Sequence, residues 1–402
     1  MKAVITCLIV FIFIFKIVNE VEGGCALNLN TDFGSPFPVL LQDGVYLAPN
    51  TPDGAVSVRR SGAVVAACPG ARSRVVVGNV TTNLEYIEAI CLSNTTFRVG
   101  TWNVQFRQLR CTEVPWFEAE ETSGRCHDNH KIVRVGYRIR GSLQPLYEVC
   151  FDKDRLHSLY SKHELTPTSH FSQTGGHRPN FQSVGLFDKV RVSDLYKKTV
   201  QKRRLNEILG DDMDKEYITK NQFLTRGHLS ARADFSTYFA QRASFHYVNV
   251  APQWLRGNAG DWAALEEALR RRAKMYSSNL TIYTGSYGVL TLRDRNGKEK
   301  EIYLSVDDNN NNVLPVPLYF YKVVYDPSRK AAVAFVSINS PYYDSREREN
   351  LTFCEDICDG NTKYRWLTWR PKDATTSFCC DYADFREKIK HLPDLDVEEL
   401  FY

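Results

Sequence analysis

Ten cysteines behind an apolar N-terminal segment constrain the fold of this chain more than any other feature of its sequence. Lys2 is followed by the apolar residues 3–15, and the small residues Gly23 and Gly24 stand a few positions beyond them. This pattern is typical of a signal peptide, and we expect cleavage near Gly23. The run holds about 13 residues, whereas a membrane-spanning helix needs about 20. The sequence therefore predicts a secreted, extracellular protein without a membrane anchor.

The cysteines that follow the signal peptide form an even set, as disulfide pairing requires. They are Cys25, Cys68, Cys91, Cys111, Cys126, Cys150, Cys354, Cys358, Cys379 and Cys380. Secreted proteins keep their disulfides because their compartment is oxidising, so we predict five bridges and leave their connectivity open. A zinc site built from the last four cysteines is the alternative. Four glycosylation sequons, at Asn79, Asn94, Asn279 and Asn350, fit the same secretory route.

Two segments of different character follow the signal peptide, which we place at residues 1–23. Residues 24–130 contain short β-like runs, such as residues 63–67, and hold five of the ten cysteines. Residues 131–402 alternate between strand and helix patterns. With 43% hydrophobic residues the chain can bury a sizeable core. We expect an α+β catalytic domain with a mixed sheet and helices, preceded by a small β-rich, disulfide-tied module.

A cluster of positive charge lies on a helix predicted for residues 193–209, where Ser193 is the expected N-cap and Gly210 the stop signal. The cluster consists of Lys197, Lys198, Lys202, Arg203 and Arg204. A solvated helix face is the ordinary meaning of such a cluster, and a surface that follows nucleic-acid phosphates is the alternative. The net charge of +4 is too small to argue for a nucleic-acid partner, so any basic binding surface must be local.

Two other segments carry residues that suit the cleavage of a phosphodiester bond. One is residues 225–229 (TRGHL), and the other begins at Asn249, in a strand predicted over residues 245–250, and continues into a helix predicted over residues 260–276. The reaction needs a base for water, a cation at the departing oxygen and positive charge on the phosphoryl oxygens. His228 is the natural base because imidazole titrates near neutral pH, and Arg226 can donate to the phosphate.

Three residues near the start of the second helix supply the remaining groups. Asn258 offers a neutral oxygen to Mg²⁺, which often takes only one or two protein ligands and keeps most of its waters. Glu266 follows about two helical turns later and can hold a water of the cation's hydration shell, and Arg270 lies one turn further. Spacing alone also allows a helix cap at Asn258 and an ordinary ion pair between Glu266 and Arg270.

Together these segments resemble the DNA/RNA non-specific endonuclease family, which has a ββα-metal site. The family motif is a D-R-G-H box followed by N-x-x-P-Q and then by N-x-G-x-W-x-x-L-E-x-x-x-R. This chain matches the later parts at the family spacing with Asn249, Pro252, Gln253, Asn258, Gly260, Trp262, Leu265, Glu266 and Arg270. The box itself reads T-R-G-H because Thr225 replaces its first Asp. We expect activity to survive this replacement.

The resemblance implies that His228 is the general base and that Asn258 is the direct ligand of Mg²⁺, with Mn²⁺ able to substitute. It gives supporting roles to four more residues: Glu266 beside the metal's hydration shell, Arg226 and Arg270 as phosphate clamps, and Asn249 as a support of the site. The similarity is to the secreted arthropod branch, which includes crustacean duplex-preferring nucleases and insect salivary endonucleases. It implies sequence-independent cleavage of DNA, with double-stranded RNA as a further substrate. An upstream arginine used by some bacterial members has no assignable position in the sequence.

A secreted nucleic-acid-binding protein with weak or no nuclease activity is the rival hypothesis. Such a protein would use residues 270–274 and the cluster at residues 197–204 against phosphates, and its salt-sensitive binding would not depend on a chelator. A metal nuclease instead predicts cleavage that a chelator abolishes. Other hydrolase classes fit poorly, because residues 283–288 do not form a G-x-S-x-G elbow and His163-Glu164 lacks the second histidine of a zinc protease helix.

Overall fold

The computed structural model describes residues 23–187, 190–370 and 377–402. The predicted signal peptide therefore lies, apart from Gly23, outside the described residues. Contacts divide the chain into two compact units: the first ends at Trp116 and also takes in Gln173–Gly175, and the second consists of Phe117–Ser172 and Gly176–Tyr402. The domain boundary predicted at residue 130 stays a prediction. Within the described ranges, no helix has both the length and the apolar character needed to cross a bilayer.

The first unit is built from short strands. They are β1 (Cys25–Asn28), β2 (Val39–Gln42), β3 (Val45–Tyr46), β4 (Ala55–Val58), β5 (Ala63–Ala67), β6 (Val75–Val77), β7 (Val80–Thr81), β8 (Tyr86–Ser93), β9 (Thr96–Val99), β10 (Trp102–Gln105) and β11 (Leu109–Cys111). A six-stranded sheet has the order β10-β9-β8-β5-β2-β3, and smaller sheets pair β1 with β4 and β11 with β6 and β7. Disulfides Cys25–Cys91 and Cys68–Cys111 tie this unit together.

The second unit contains the remaining strands. They are β12 (Glu118–Arg125), β13 (Lys131–Ile139), β14 (Ser142–Asp152), β15 (His157–Leu165), β16 (Leu224–His228), β17 (Val250–Trp254), β18 (Leu280–Tyr287), β19 (Thr291–Arg293), β20 (Glu299–Glu301), β21 (Tyr303–Val306), β22 (Asn312–Pro315), β23 (Tyr319–Asp326), β24 (Ala331–Ile338), β25 (Ser377–Cys380) and β26 (Glu399–Leu400). A nine-stranded sheet runs β12-β13-β14-β15-β18-β23-β24-β25, with β26 parallel to β24. The mixed sheet confirms the predicted α+β class.

The α-helices within the described ranges lie in the same unit. They are α1 (Val192–Leu195), α2 (Lys198–Leu209), α3 (Asp214–Tyr217), α4 (Tyr238–Ala243), α5 (Leu255–Gly257), α6 (Ala263–Ala273), α7 (Ser345–Leu351) and α8 (Tyr382–Lys388), with a π-helical turn over Asn258–Trp262. The single helix predicted over residues 193–209 is wrong, because Lys197 is extended between α1 and α2. Ser193 lies inside α1 instead of capping a helix. The Gln201 side chain donates to the carbonyl of Tyr196 at 3.2 Å and so satisfies the backbone at the break.

The strand predicted over residues 245–250 is also wrong at its start. Tyr247–Asn249 form a 3-10 helix, and the strand begins only at Val250. His246 accounts for the difference, because its Nδ1 accepts a hydrogen bond from the backbone N–H of Val248 at 3.1 Å. This side-chain cap closes a turn that an alternating pattern does not predict.

Two apolar clusters cover the two faces of the nine-stranded sheet. On one face Leu265 and Leu269 of α6 pack on Phe320 and Val324 of β23. On the other face Phe385 of α8 packs with Tyr321 and Val323 of the same strand. Because successive strand side chains alternate between faces, Lys322 lies on the α6 side, within an otherwise apolar surface. The core therefore holds α6, which leads away from the candidate site, rigidly against the sheet.

The remaining six cysteines form disulfides Cys126–Cys150, Cys354–Cys380 and Cys358–Cys379. With the two in the first unit, these bridges use all ten cysteines of the predicted set. The prediction of five disulfides is confirmed, and the zinc alternative for the last four cysteines is wrong because their sulfurs are bonded to each other.

Candidate active site

The two segments with the predicted chemistry form a β-hairpin that is followed by a helix. β16 pairs antiparallel with β17, so that Gly227 lies opposite Ala251 and His228 opposite Val250. From the end of β17 the chain continues through α5 and the π-helical turn into α6. This order places the T-R-G-H box next to the start of the helix that carries Glu266 and Arg270.

Gly227 is required by the packing inside the hairpin. Side chains of β16 alternate, so Arg226 and His228 lie on one side and Thr225 on the other, with Gly227. A Cβ added at Gly227 would stand 2.5 Å from Oε1 and 2.8 Å from Cβ of Gln253. A larger residue must therefore displace Gln253 from β17.

Thr225, which replaces the first Asp of the family box, connects the hairpin to the helix. Its Oγ1 accepts a hydrogen bond from Nδ2 of Asn258 at 2.9 Å and donates to the carbonyl of Gln253 at 2.8 Å. The hydroxyl can do both because it carries one donor and free lone pairs. Thr225 thus orients the Asn258 amide, and the oxygen Oδ1 of that amide is the group left for a ligand. Asn258 is not an N-terminal helix cap, because it ends α5 and is itself the first residue of the π-helical turn, with helical backbone angles.

His228 is packed between aromatic rings. Its ring centroid lies 5.2 Å from Phe181 and 5.1 Å from Phe245, and its Nε2 has no hydrogen-bond partner among the described residues. Burial, together with the nearby charges of Arg178 and Arg232, lowers the pKa of His228 to about 3. The imidazole is therefore neutral at ordinary pH, which is the form that accepts a proton.

Arg226 is held by aromatic rings beside a cavity. Its Nε donates to the hydroxyl of Tyr247 at 2.9 Å, and its guanidinium lies 4.9 Å from the ring centroid of Tyr196 and 5.4 Å from that of Phe181. A cavity of about 420 Å³ is lined by Arg178, Pro179, Asn180, Phe181, Ser193, Arg226 and Tyr247. Rings hold a guanidinium through cation–π contact without neutralising its charge. The cavity therefore has a cationic wall next to His228.

Arg270 pairs with Asp234 and not with Glu266. Its Nη1 donates to Oδ1 of Asp234 at 3.0 Å, and this pair is largely buried. Burial raises the pKa of Glu266 to about 7; Asp234 acts in the same direction, while Lys322 and Arg270 oppose it. The intrahelical ion pair that spacing allowed is thus absent from the described contacts of Arg270. Glu266 remains available for another cation.

Lys322 is a buried cation on β23, on the face of the sheet that α6 covers. It is 1% exposed, and its Nζ donates to Oγ1 of Thr284 at 2.6 Å. Burial lowers the pKa of Lys322, whereas the carboxylates of Glu266 and Asp234 raise it. A buried cation is stable only with such partners, so Lys322 and the two carboxylates depend on one another electrostatically.

Asn249 supports the backbone that follows His228. Its Oδ1 accepts from the backbone N–H of Ser230 at 2.8 Å, and its Nδ2 donates to the carbonyls of Ser230 at 2.9 Å and Ser244 at 3.0 Å. Asn249 is completely buried. Its side chain therefore braces the loop after β16 and does not face a substrate.

A family model for DNA/RNA non-specific endonucleases matches residues 128–381, which is more than half of the chain. The chain belongs to the DNA/RNA non-specific endonuclease family. This endonuclease is accordingly a phosphodiester hydrolase, and nucleic acid is its substrate. Enzymes of this family generally depend on a divalent cation.

Two curated relatives and one solved structure are similar to this endonuclease. A salivary endonuclease of Lutzomyia longipalpis is 30% identical over 402 residues, with 97% of this chain and 91% of the relative covered. The salivary protein Tsal2A of Glossina morsitans morsitans is 24% identical over 310 residues, with 74% of each chain covered. A chain in the crystal structure of the EndoG/EndoGI complex aligns at 18% identity and a TM-score of 0.36, with 64% of this chain and 89% of that chain covered.

The donor set of the endonuclease fits a hard divalent cation at Asn258. The amide nitrogen of Asn258 is bound by Thr225, and its Oδ1 accepts no hydrogen bond within the described part of the chain. A neutral amide oxygen suits Mg²⁺, and the carboxylate of Glu266 follows on the helix that continues from Asn258. The other group of potential ligands, Asp356 with Cys358 and Cys379, does not fit, because both sulfurs belong to one disulfide.

The endonuclease also has site residues that the sequence did not reveal. Arg178, on the loop between β15 and α1, lines the cavity beside His228, and its guanidinium lies 5.2 Å from the ring centroid of Phe245. Asp234 and Lys322 complete the surroundings of Arg270 and Glu266. No local spacing signals any of the three, because each reaches the site through nonlocal strand or loop packing.

Proposed function

We propose that this endonuclease is secreted and hydrolyses double-stranded DNA without sequence preference, using Mg²⁺ and His228 as the general base. We propose RNA as a second substrate and Mn²⁺ as a substitute for Mg²⁺. The observation that carries the proposal is the neutral His228 next to a cavity walled by Arg226 and Arg178. Secretion is supported by the signal-like N-terminus, the five disulfides and the similarity to a salivary endonuclease.

In the proposed mechanism the neutral imidazole of His228 takes a proton from the attacking water. Arg226 and Arg178 stabilise the negative charge that grows on the phosphoryl oxygens, and Arg270 binds a phosphate from the helix side. Asn258 would hold the cation through Oδ1, and Glu266 would hold a water of its hydration shell. Mg²⁺, when bound, supplies positive charge for the departing oxygen. Asn249 keeps the loop behind His228 in place.

Sequence independence follows from the groups that line the site. The charged groups that line the cavity are the guanidinium groups of Arg178 and Arg226, which match phosphates, and phosphates carry no base information. Duplex DNA is the substrate we favour because the similarity is to the branch that includes duplex-preferring and salivary nucleases.

The test is digestion of plasmid DNA, single-stranded DNA and double-stranded RNA by the purified protein with Mg²⁺, with Mn²⁺ and with chelator. We expect chelator to abolish cleavage and Mg²⁺ to restore it, with duplex DNA cut fastest. His228→Ala is expected to lower the rate by about 10²–10⁴-fold, the usual contribution of a general base. His127→Ala is the matched control, because this histidine lies in the same unit with 37% of its side chain exposed.

Three outcomes would contradict the proposal. Cleavage that persists in chelator would exclude the metal, and full activity of His228→Ala would exclude the base. DNA that is retarded in a gel but remains uncut in Mg²⁺ would favour the rival role as a nucleic-acid-binding protein.

A further inference from the structure

A continuous chain of buried hydrogen bonds begins at Arg270 and ends inside the sheet. Asp234 accepts from Arg270 through Oδ1 and contacts Nε2 of His163 through Oδ2, both at 3.0 Å. Nδ1 of His163 lies 3.0 Å from Oγ of Ser230, which lies 2.7 Å from Oγ of Ser161. His163 and Ser161 belong to β15, so the chain fixes the end of Arg270 to the central sheet.

The charges around Asp234 determine which atom donates and which accepts in each of these hydrogen bonds. Burial alone would raise the pKa of Asp234, but the hydrogen bond from His163 and the charges of Lys322 and Arg270 hold it below its usual range. An ionised Asp234 can only accept, so His163 must carry its proton on Nε2. Burial lowers the pKa of His163, so its Nδ1 is free to accept from Ser230. Ser161 then donates to Ser230.

The same three residues imitate the Asp–His–Ser arrangement of serine hydrolases, but they cannot act as one. Ser230 is 0%, His163 2% and Asp234 5% exposed, so no substrate carbonyl can reach the serine. Asn249 also holds both backbone groups of Ser230. The arrangement therefore serves to fix Asp234 and has no hydrolytic function of its own.

Asp234 binds Arg270 by one nitrogen only. Nη1 is used, and the other nitrogens of the guanidinium have no hydrogen-bond partner within the described residues. The Arg270 side chain is 16% exposed, whereas that of Asp234 is 5% exposed. One fixed nitrogen restricts the rotamers of a long side chain, and the remaining donors stay free for a phosphate.

We propose that Asp234 is the positioning residue of Arg270, and that His163 and Ser230 fix its carboxylate so that the free guanidinium nitrogens meet a phosphate of the substrate. This inference rests on the proposed function, because it takes Arg270 as a phosphate-binding residue. Asp234 and His163 touch neither substrate nor cation in this scheme. They act only through Arg270.

The test is a double-mutant cycle read out by binding of a short DNA duplex in chelator, where no cleavage occurs. We expect Arg270→Ala to weaken binding by about tenfold and to lower the slope of log K against log salt by about 0.9. Asp234→Ala should weaken binding by a similar factor. The double variant should bind no more weakly than Arg270→Ala alone, because Asp234 acts through Arg270. Losses that multiply in the double variant would overturn the proposal.

Asp214→Ala is the matched control for removing a buried aspartate. Asp214 is 7% exposed and pairs with Lys202 at 3.3 Å. It should leave DNA binding unchanged. If Asp234→Ala does not fold, His163→Leu provides the same cycle by removing the donor to Asp234, and its effect should vanish in the Arg270→Ala background. An effect that persists there would contradict the proposal.

Asp234→Asn gives a spectroscopic signature that a merely structural role would not produce. The amide oxygen can still accept from Arg270, but the amide nitrogen now donates to Nε2 of His163, so the proton of His163 must transfer to Nδ1. In ¹⁵N NMR of histidine-labelled protein, with the resonance assigned by its loss in His163→Gln, the tautomer should change while DNA binding stays within twofold. A wild-type His163 protonated on Nδ1 would overturn the scheme.

The failures of the two proposals are distinguishable. If Arg270→Ala binds DNA like the wild type while His228→Ala cannot cut, the general-base role of His228 stands, and the phosphate-binding role of Arg270 falls together with the positioning role of Asp234. If His228→Ala cuts normally, the proposed mechanism falls whatever the cycle shows.

Discussion

Two groups of basic side chains in the second unit differ in what surrounds them. The group at α2 is held by internal partners: Lys197 by Asp194, Lys198 by the carbonyl of Lys220, Lys202 by Asp214, and Arg203 and Arg204 by Glu207. The group at the cavity consists of Arg178 and Arg226, which lie against aromatic rings. Neither of these two arginines pairs with a carboxylate among the described residues.

The comparison shows that a dense run of positive charge in a sequence is a poor guide to a binding surface. Carboxylates pair with four of the five cations at α2, and the fifth, Lys198, donates to a backbone carbonyl and lies 3.8 Å from the ring centroid of Phe223. At the cavity the rings leave the charge of Arg226 available for a phosphate. The solvated-face interpretation of the α2 cluster is the one that its contacts favour. The two cavity arginines, which stand 48 positions apart in the sequence, have the stronger potential for binding.

Among the variants that test this comparison, Arg226→Ala has the largest expected effect and should lower kcat/KM by about 10²–10³-fold, because it removes charge beside His228. Initial rates of plasmid cleavage at saturating Mg²⁺ measure it. Arg226→Lys is the control for charge alone: it lacks the planar fork that fits between the rings and should recover less than a tenth of the lost activity. A wild-type rate in Arg226→Ala would mean that the cavity arginine matters no more for cleavage than the basic residues at α2.

A second prediction concerns Lys322, a buried cation whose Nζ lies 5.5 Å from the ring centroid of Trp262. Because the pKa of Glu266 is about 7, its working carboxylate forms as the pH rises, and kcat/KM should increase with pH through about 7. His228, with its pKa of about 3, is already neutral over this pH range, so its titration does not change kcat/KM there. Lys322→Met removes a charge that lowers the pKa of Glu266. The rise of kcat/KM with pH should therefore shift by about one pH unit to higher pH.

The control for this shift is Lys162→Met. Lys162 is an exposed lysine on the same sheet, 5.8 Å from the ring centroid of Tyr283, and it does not face Glu266. Rates measured from pH 5 to 9 should be superimposable for this variant and the wild type. If kcat/KM of Lys322→Met rises at the same pH as that of the wild type, Lys322 does not act on Glu266.

The smallest effect is expected for the double substitution Lys197→Ala and Arg203→Ala in the basic group at α2. DNA binding should change by less than twofold, and the free energy of unfolding by less than about 1 kcal/mol, because exposed ion pairs contribute little. Arg178→Ala provides the contrast, since it should lower the salt slope of binding by about 0.9. A slope lowered by nearly two in the double variant would make α2 part of the binding surface.

The local parts of the site could be predicted from the sequence, and the nonlocal parts could not. His228, Asn258, Glu266 and Arg270 lie on a hairpin and the helix that follows it, so a fixed spacing specifies where each of them stands. The family and the α+β class follow from that spacing. Whether each residue has the role predicted for it remains for the variants above to test.

His163, Lys322 and Arg178 depend on pairings that spacing does not encode. Lys322 reaches the site because β23 pairs with β18 and places Lys322 opposite Thr284. In the sequence it is a single lysine in a strand-like apolar run, where exposure to solvent is the usual expectation. The misplaced strand at residues 245–250 has a similar origin, since the ring of His246 caps the turn that interrupts it.

The two disulfides at β25 have a consequence for how the sheet assembles. Cys379 and Cys380 are neighbours in one strand, so their sulfurs lie on opposite faces: Cys379 in the cluster under α6 and Cys380 in the cluster with Phe385. The segment from Cys354 to Cys358 is thus bonded to both faces of a single strand.

Exchanging the two partners would require β25 to slip by one residue against β24, which would turn Phe378 out of its cluster. Correct disulfide pairing and correct strand register can therefore form only together. Isomerisation of these two disulfides during folding would therefore also select the register at the edge of the nine-stranded sheet.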